Sequence, residues 1–331
     1  SRRFIMATLK ANTVSGIGTE GTVFDGGLKF RSKNYLTLPK GTTTQRGRGR
    51  GVWGGGTDGT NLATIQYAEL SSQGNTIDFG DLITGNNTVA AVASSTRICF
   101  GGGREPSIVN RIQFVEIATT SNATDFGDLT VARTFLDACS NETRGVFGSG
   151  STPSVNVTID FITIATTGNA QDFGDSTKTA TISAAACASP TRGIFAGGYQ
   201  PSSPKFDNVI EYITIASAGN ATDFGDMTTG RFNMTPGGCS STTRGIFGGG
   251  KILSPGTVMN NIDFITIATT GDSTDFGDLT VARQTCGACS NTLRGVFGGG
   301  NTAPAKINTI DFIEIATTGN ANDFGDMFSN I

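Results

Sequence analysis

The chain predicts an all-β fold, a six-bladed β-propeller of four-stranded antiparallel blades with a short N-terminal extension. Three observations carry the prediction. One block of sequence is written six times. Its period is near 50 residues, the range of propellers and solenoids. Within each copy the apolar runs are short, separated by turn signals, and apolar on both faces.

Two anchors define the block. The first is an arginine followed by an apolar and aromatic run that ends in glycine. Copies start at Arg50, Arg97, Arg144, Arg192, Arg244 and Arg294, in steps of 47, 47, 48, 52 and 50 residues. The second is Asp-Phe-Gly-Asp, starting at Asp78, Asp125, Asp172, Asp223, Asp275 and Asp323. Both anchors keep the same order in every copy. The expected division is an arm over residues 1–40 and a propeller over 41–331. The blades fall at about 41–81, 82–128, 129–175, 176–226, 227–278 and 279–326.

The last copy shows how four strands fit. Residues 284–290 are small and apolar and predict strand a. Asn291 and Thr292 mark a tight turn. Residues 294–298 predict strand b, and residues 309–316 strand c. Thr318-Gly319-Asn320 is a second turn signal, and a short strand d centres on Phe324. Consecutive hairpins make the sheet antiparallel. Strand c discriminates between architectures. Ile310, Phe312 and Ala316 share one face with Glu314, while Ile313 and Ile315 take the other. A half-exposed strand alternates apolar with polar, so this strand reads as covered on both faces, as a blade between two blades would be. Radial repetition also protects sheet edges. Each copy brings an aromatic to strands b, c and d, and such rings fill the wedge between blades at about 1.5–3 kcal/mol per buried side chain.

Composition narrows the function. The chain has 331 residues, 15% of them charged, 47 glycines and a net charge of −3, which is not a nucleic-acid binder's balance. The Arg46-Gly47-Arg48-Gly49-Arg50 run reads as strand a of blade 1 leading into strand b, since no aromatic interleaving supports a nucleic-acid contact. No run of 18 apolar residues is present, so membrane insertion is not expected. The opening Ser-Arg-Arg-Phe-Ile-Met lacks the apolar core of a secretory signal, and Met6 is a candidate start. The chain has no histidine, which removes Ser-His-Asp and Cys-His catalysis and most zinc sites. Asp-Phe-Gly matches the kinase magnesium motif, but no lysine strand or catalytic loop accompanies it. Six copies at a fixed position make it structural, with its aspartates expected to accept backbone or arginine hydrogen bonds. Arg133 and Arg283 are candidate donors. Asp160, Asp263 and Asp311 sit in strand c among buried residues, and Gln66, Gln113 and Glu211 take their place elsewhere; such groups must be hydrogen-bonded. A calcium ring built from them is weakened by the two glutamines. Cys139, Cys187, Cys239 and Cys289 recur at one place in strand a, too far apart for disulfides. Cys286 and Cys289 have a CxxC spacing, but residues three apart on a strand face opposite ways. Small buried thiols are the expectation. Catalytic residues, metal and cofactor are all expected to be none, and the chain is not expected to be an enzyme.

Binding is expected in loops and in the arm. The a–b and c–d turns barely change between copies, whereas the b–c links are individual. Alternation of strand direction puts the b–c and d–a links on one face, and loops on a rigid scaffold are where recognition resides. Arg104, Tyr199, Phe206 and Lys251 are the candidate binding residues, the last three expected to be exposed. In the arm, Val23, Phe24, Leu28 and Phe30 are the candidate assembly anchor.

The glycine-pair strand end, the aromatic third strand, the outer-strand aromatic and the arginine before the next inner strand together resemble the kelch repeat over roughly residues 41–331. The departure is that the usual outer-strand Trp is Phe in all six copies. The phrasing Met6-Ala7-Thr8-Leu9-Lys10, residues 14–21 (Val-Ser-Gly-Ile-Gly-Thr-Glu-Gly), residues 35–43 (Tyr-Leu-Thr-Leu-Pro-Lys-Gly-Thr-Thr) and the Arg-Gly run resembles virion structural proteins of tailed phages of marine cyanobacteria. These carry short kelch-like repeats rich in Ala-Thr-Thr-Gly-Asn and Asp-Phe-Gly-Asp. That resemblance implies a tail-fibre, spike or capsid-surface component, multi-copy, on the particle surface. Its partners would be other virion proteins through the arm and a host surface glycan or protein. The alternative is a soluble kelch-like protein-interaction module. No cysteine sits beside a tyrosine in the manner of copper-radical kelch oxidases.

Overall fold

The computed structural model describes residues 49–152, 154, 156–178, 183–200, 207–234, 237–253, 256–303 and 305–328. The chain divides between Thr43 and Thr44, and the second unit is the one described. Val23, Phe24, Leu28 and Phe30 of the expected anchor, Arg46 to Arg48, and Phe206 lie outside the described residues.

Blade 1 comprises β1 (Arg50–Gly54), β2 (Thr64–Glu69) and β3 (Ile77–Asp81). Blade 2 comprises β4 (Ala90–Ala93), β5 (Arg97–Gly101), β6 (Arg111–Glu116) and β7 (Thr124–Asp128). Blade 3 is β8 (Asp137–Ser140), β9 (Arg144–Gly148), β10 (Thr158–Thr163) and β11 (Gln171–Asp175). Blade 4 is β12 (Ala185–Ala188), β13 (Arg192–Ala196), β14 (Val209–Thr214) and β15 (Thr222–Asp226). Blade 5 is β16 (Gly238–Ser240), β17 (Arg244–Gly248), β18 (Asn261–Thr266) and β19 (Thr274–Asp278). Blade 6 is β20 (Gly287–Ser290), β21 (Arg294–Gly298), β22 (Thr309–Glu314) and β23 (Asn322–Asp326). Every sheet runs in sequence order with antiparallel pairing. The inner strands of blades 2 to 6 neighbour one another in turn, and β20 lies beside β1. The six sheets form a six-bladed β-propeller, as the period predicts.

The inner strand of blade 6 is shorter than the sequence indicates, Gly287–Ser290 rather than residues 284–290. Gln284 instead forms an isolated bridge with Asn301. The break lies at Thr285, whose φ of 55° takes the chain out of the extended region. Thr88, Phe135, Ser183 and Asn233 hold the equivalent place with φ between 56° and 59°. Such a value is uncommon for residues other than glycine and costs about 1–3 kcal/mol. The seams use it: Ser183 N donates to the Phe135 carbonyl, Met234 N to that of Ser183 and Thr285 N to that of Asn233.

The repeated anchors face each other across the seams. On the outside, the c–d turn of each blade lies on the outer strand of the blade before it. Asn122, Asn169, Asn220, Asp272, Asn320 and Asn75 each accept, through Oδ1, the backbone N–H of the last aspartate of Asp-Phe-Gly-Asp, at 2.9–3.1 Å. The motif's glycine is required by this contact. Gly174 has φ 144°, and a Cβ there would lie 2.6 Å from the Gly219 carbonyl. Towards the axis, the arginine that opens strand b stacks on the strand-c aromatic of its own blade, 4.5–4.9 Å from the ring centre. Its Nη1 reaches a carbonyl just past strand c of the following blade, from Arg50 to Ile117 and finally from Arg294 to Leu70. The strand-c ring meets the strand-d phenylalanine edge-on in every blade, with centroids 5.7–6.1 Å apart, a favoured aromatic geometry.

The buried seams match a large group to a small one. Phe100, Phe147, Phe195 and Phe297 pack on Gly54, Gly101, Gly148 and Gly248 of the preceding blade, where a Cβ would come within 3 Å of the ring. Cys139, Cys187, Cys239 and Cys289 sit against Gly193, Gly245, Gly295 and Gly51 of the following blade. No disulfide joins any of the six cysteines, and burial raises the Cys239, Cys286 and Cys289 thiols. Blade 6 meets blade 1 through Trp53, whose Nε1 donates to the Gly287 carbonyl at 3.2 Å. Gly74 N and Thr76 N bond to the Phe324 and Asp326 carbonyls across the same seam.

Candidate binding faces

The a–b turns share one hydrogen-bonded design. The residue three before the strand-b arginine is Ser94, Asn141, Ser189, Ser241 or Asn291. Its side-chain oxygen accepts the arginine's N–H and that of the residue before it. Such local capping favours Ser and Asn. Ser140, Ser240 and Ser290 then stitch inner strand to inner strand by donating to the carbonyls of Ala93, Ala188 and Ser240. Uniformity on this face is therefore a consequence of packing.

The opposite face carries the individual loops. The links between blades pair with the b–c loops as short bridges, Asn87 with Arg104, Thr134 with Ser151, Phe232 with Lys251 and Gln284 with Asn301. Among the sequence candidates, Arg104 is exposed, with its backbone bridged to Asn87 and Ile108 and its carbonyl accepting from Asn61 Nδ2. Tyr199 and Lys251 are half-buried rather than exposed. Both are drawn to Phe232: the Tyr199 ring lies 5.6 Å from the Phe232 ring, and Lys251 exchanges two backbone hydrogen bonds with Phe232. The structure brings Tyr199, Phe232 and Lys251 together at the seam of blades 4 and 5. Arg104, on blade 2, stands across the ring from Lys251 on blade 5. Phe232 escaped sequence reasoning. Its signal is that it alone supplies an aromatic immediately after the link arginine, where Asn87, Thr134 and Gln284 stand in other blades.

The buried polar residues of strand c form a second system, and its pairing corrects an expectation. Arg133 and Arg283 do not bond the aspartates of Asp-Phe-Gly-Asp. Arg133, Arg231 and Arg283 pair with Asp160, Asp263 and Asp311 at 2.5, 3.1 and 3.0 Å, all six side chains being no more than 1% exposed. None of the ion pairs among the described residues involves the Asp-Phe-Gly-Asp carboxylates, because the outer strand turns them to solvent while its backbone meets the next blade. Asp160 also accepts from Thr130 N and Oγ1, and Asp311 from Thr280 N and Oγ1. Burial lowers the Arg133 and Arg231 guanidiniums from their ordinary value, and the facing carboxylates oppose it.

The sequence of each blade follows this chemistry. An acid in strand c accepts a threonine hydroxyl in blades 3 to 6; in blades 3, 5 and 6 it also pairs with a buried arginine, whereas in blade 4 Thr177 donates to Glu211 and the buried Lys178 donates to the Gly197 carbonyl. Where strand c has Gln113 or Gln66, Ile83 or Phe328 replaces the threonine and only its backbone N–H donates. In blade 2 the cation is replaced by Asn86. The Asn86 amide, the Arg133 guanidinium and the Lys178 ammonium serve the same repeat carbonyl, that of Gly102, Ser149 and Gly197. These acids already accept protein donors, so the network is structural and holds no metal cluster among the described residues.

A third feature lies on the axis at the uniform face. The a–b turns of blades 3 to 6 border a depression of about 160 Å³, with Glu142 its single charged residue. Comparisons with known proteins add nothing to this geometry: no family model matches the chain, and no curated protein does.

Proposed function

We propose that the protein is a non-catalytic recognition scaffold, a structural component of a tailed-phage particle that presents its individual b–c face outward and is held in a multi-copy assembly by its N-terminal arm. The observation that carries the recognition half is the contrast between the faces. The c–d turns are consumed by inter-blade hydrogen bonds and the a–b turns by capping within the turn, whereas the b–c loops differ in length and residue type. The cluster of Tyr199, Phe232 and Lys251 is the loop site with aromatic, cationic and backbone groups in one place, and aromatic and cationic residues are what binding hot spots use. The particle half rests on the sequence resemblance and on the extra chain before blade 1. The substrate class is a host surface glycan or protein.

Two measurements test it. Deleting residues 1–34 should leave a folded propeller that no longer joins its assembly; an unfolded product defeats the division of labour. The isolated propeller should adhere to host cells, and Phe232→Ala should weaken adhesion at least fivefold while Arg104→Ala, across the ring, changes it less. Equal loss from both variants, or none, rejects the seam of blades 4 and 5 as the contact. The second reading, a soluble protein-interaction module, is favoured if the full chain stays monomeric and captures a protein through the same face.

A further inference from the structure

The face of the a–b and c–d turns is uniform in shape but not in charge. An arginine opens every strand b and pairs across to the last residue of strand c in its own blade. That residue is Glu69, Glu116 and Glu314 in blades 1, 2 and 6. It is Thr163, Thr214 and Thr266 in blades 3, 4 and 5. Each glutamate accepts from the arginine Nε, at 2.9, 2.6 and 2.9 Å. Arg144, Arg192 and Arg244 have no acid in this place and form no ion pair among the described residues. Their side-chain hydrogen bonds run from Nη1 to carbonyls just past strand c of the following blade. The edge of Nε and Nη2 has no protein partner among the described residues.

The three arginines stand on consecutive blades and make one cationic sector. Each is held in place. Its guanidinium stacks on Phe161, Tyr212 or Phe264 at 4.6–4.7 Å, and the Nη1 bond ties it across the seam. A planar fork fixed in advance loses little freedom when it binds an oxyanion. The free edge opens to solvent. The glutamates that take this place in the other blades are 46–51% exposed, and Thr163, Thr214 and Thr266 are exposed. The turns of these three blades add two acids, Glu142 and Asp272. Each has one oxygen held by a backbone N–H of the preceding blade.

We propose that Arg144, Arg192 and Arg244 form a docking surface for an acidic polysaccharide, with uronate carboxylates in the place that Glu69, Glu116 and Glu314 hold in the other blades. The glutamates show that this guanidinium edge receives a carboxylate. One cation per blade matches a ligand whose own charges repeat, and several weak contacts then act together. The exposed large apolar side chains among the described residues all lie on other blades or on the b–c face. A protein partner would use an aromatic or apolar centre, which this sector lacks. The surface lies opposite Tyr199, Phe232 and Lys251, so its failure leaves the proposed function untouched.

The test is calorimetric titration of the full chain with polygalacturonate and with its methyl ester, which keeps the backbone and removes the charge. Polygalacturonate should bind and its ester should not, and the affinity should fall as salt is raised. The deciding variant is Thr163→Glu with Thr214→Glu and Thr266→Glu. It copies the ion pairs of blades 1, 2 and 6, so it should fold, and by removing every contact of the series it should weaken binding about tenfold or more. Glutamine at the same three positions has nearly the size of glutamate without its charge, and should bind much more like wild type. A single-stranded DNA of matched charge should bind more weakly than polygalacturonate. Equal affinity for the methyl ester, unchanged affinity in the triple glutamate variant, an equal loss in the triple glutamine variant, tighter binding of the DNA, or no binding of polygalacturonate at millimolar uronate overturns the proposal.

Discussion

Replacing Asp160 with Asn removes the charge from one end of a fully buried ion pair. The Arg133 guanidinium remains, 0% exposed, still donating to the Ser149 carbonyl but without its counter-charge. Breaking a buried pair on one side costs about 3–5 kcal/mol, because the surviving charge is uncompensated. Against the 5–15 kcal/mol or so that hold an ordinary domain, this is a large fraction. Blade 2 of the same chain shows a neutral solution, Gln113 with Asn86 and Ile83. Installing it in blade 3, as Asp160→Gln with Arg133→Asn and Thr130→Ile, removes both charges and the hydroxyl donor together. Residues in one network do not add, so the triple variant should recover at least half of the single variant's loss, the remainder being the volume lost from Arg to Asn. Urea denaturation followed by circular dichroism measures both. The reasoning is refuted if Asp160→Asn lies within about 1 kcal/mol of wild type, or if the triple variant is no more stable than the single.

Three further outcomes are expected. Gly174→Ala sets a Cβ against the Gly219 carbonyl at a φ of 144° and should cost about 2 kcal/mol or more, whereas Gly168→Ala, with open space around it, should cost less on the same denaturation curve. Thr285→Gly relieves a left-handed backbone and should raise stability by up to about 1 kcal/mol, a gain that a lowered unfolding midpoint would contradict. Burial pushes the Cys99 thiol from its ordinary value of 9.0 up to about 12. The folded pKa is the higher one, so its stabilising contribution is complete below pH 9 and is lost as pH rises from 9 to 12; Cys99→Ala should flatten that part of the stability profile. A thiol reagent at pH 8 should label Cys99 only as fast as the chain opens.

The period, the order of strands and the fold class were legible because hairpin pairing is local. Strand b of blade 6, residues 294–298, appears with the predicted bounds, since Asn291 caps its turn and Phe297 marks its buried face. The inner strand extends three residues less far than the sequence suggests, because Gln284, Thr285 and Cys286 contain no glycine or proline to mark the left-handed turn at Thr285. Arg133 had two acids within reach along the chain, Asp128 close by and Asp160 further on, and spacing could not choose between them. Tyr199 and Lys251 read as exposed because they stand in a variable loop; the bridge to Phe232, which covers them, joins two segments whose separation varies from blade to blade.

The amino-acid sequence alone determined that there are six blades and which residues recur in each, because one repeat must both pack on the copy before it and be packed on by the copy after it. It could not say which recurring residues meet. Asp-Phe-Gly-Asp faces the c–d turn of the next blade, the cysteine faces the next blade's glycine, and Glu142 stands on the axis beside turns up to three blades away. These are relations between residues about 40 or more positions apart, and they are set by closing the ring. That closure, from Trp53 to Gly287 and from Asp326 to Asn75, is a property of the tertiary structure, and the two faces and the axial depression exist only once it is made.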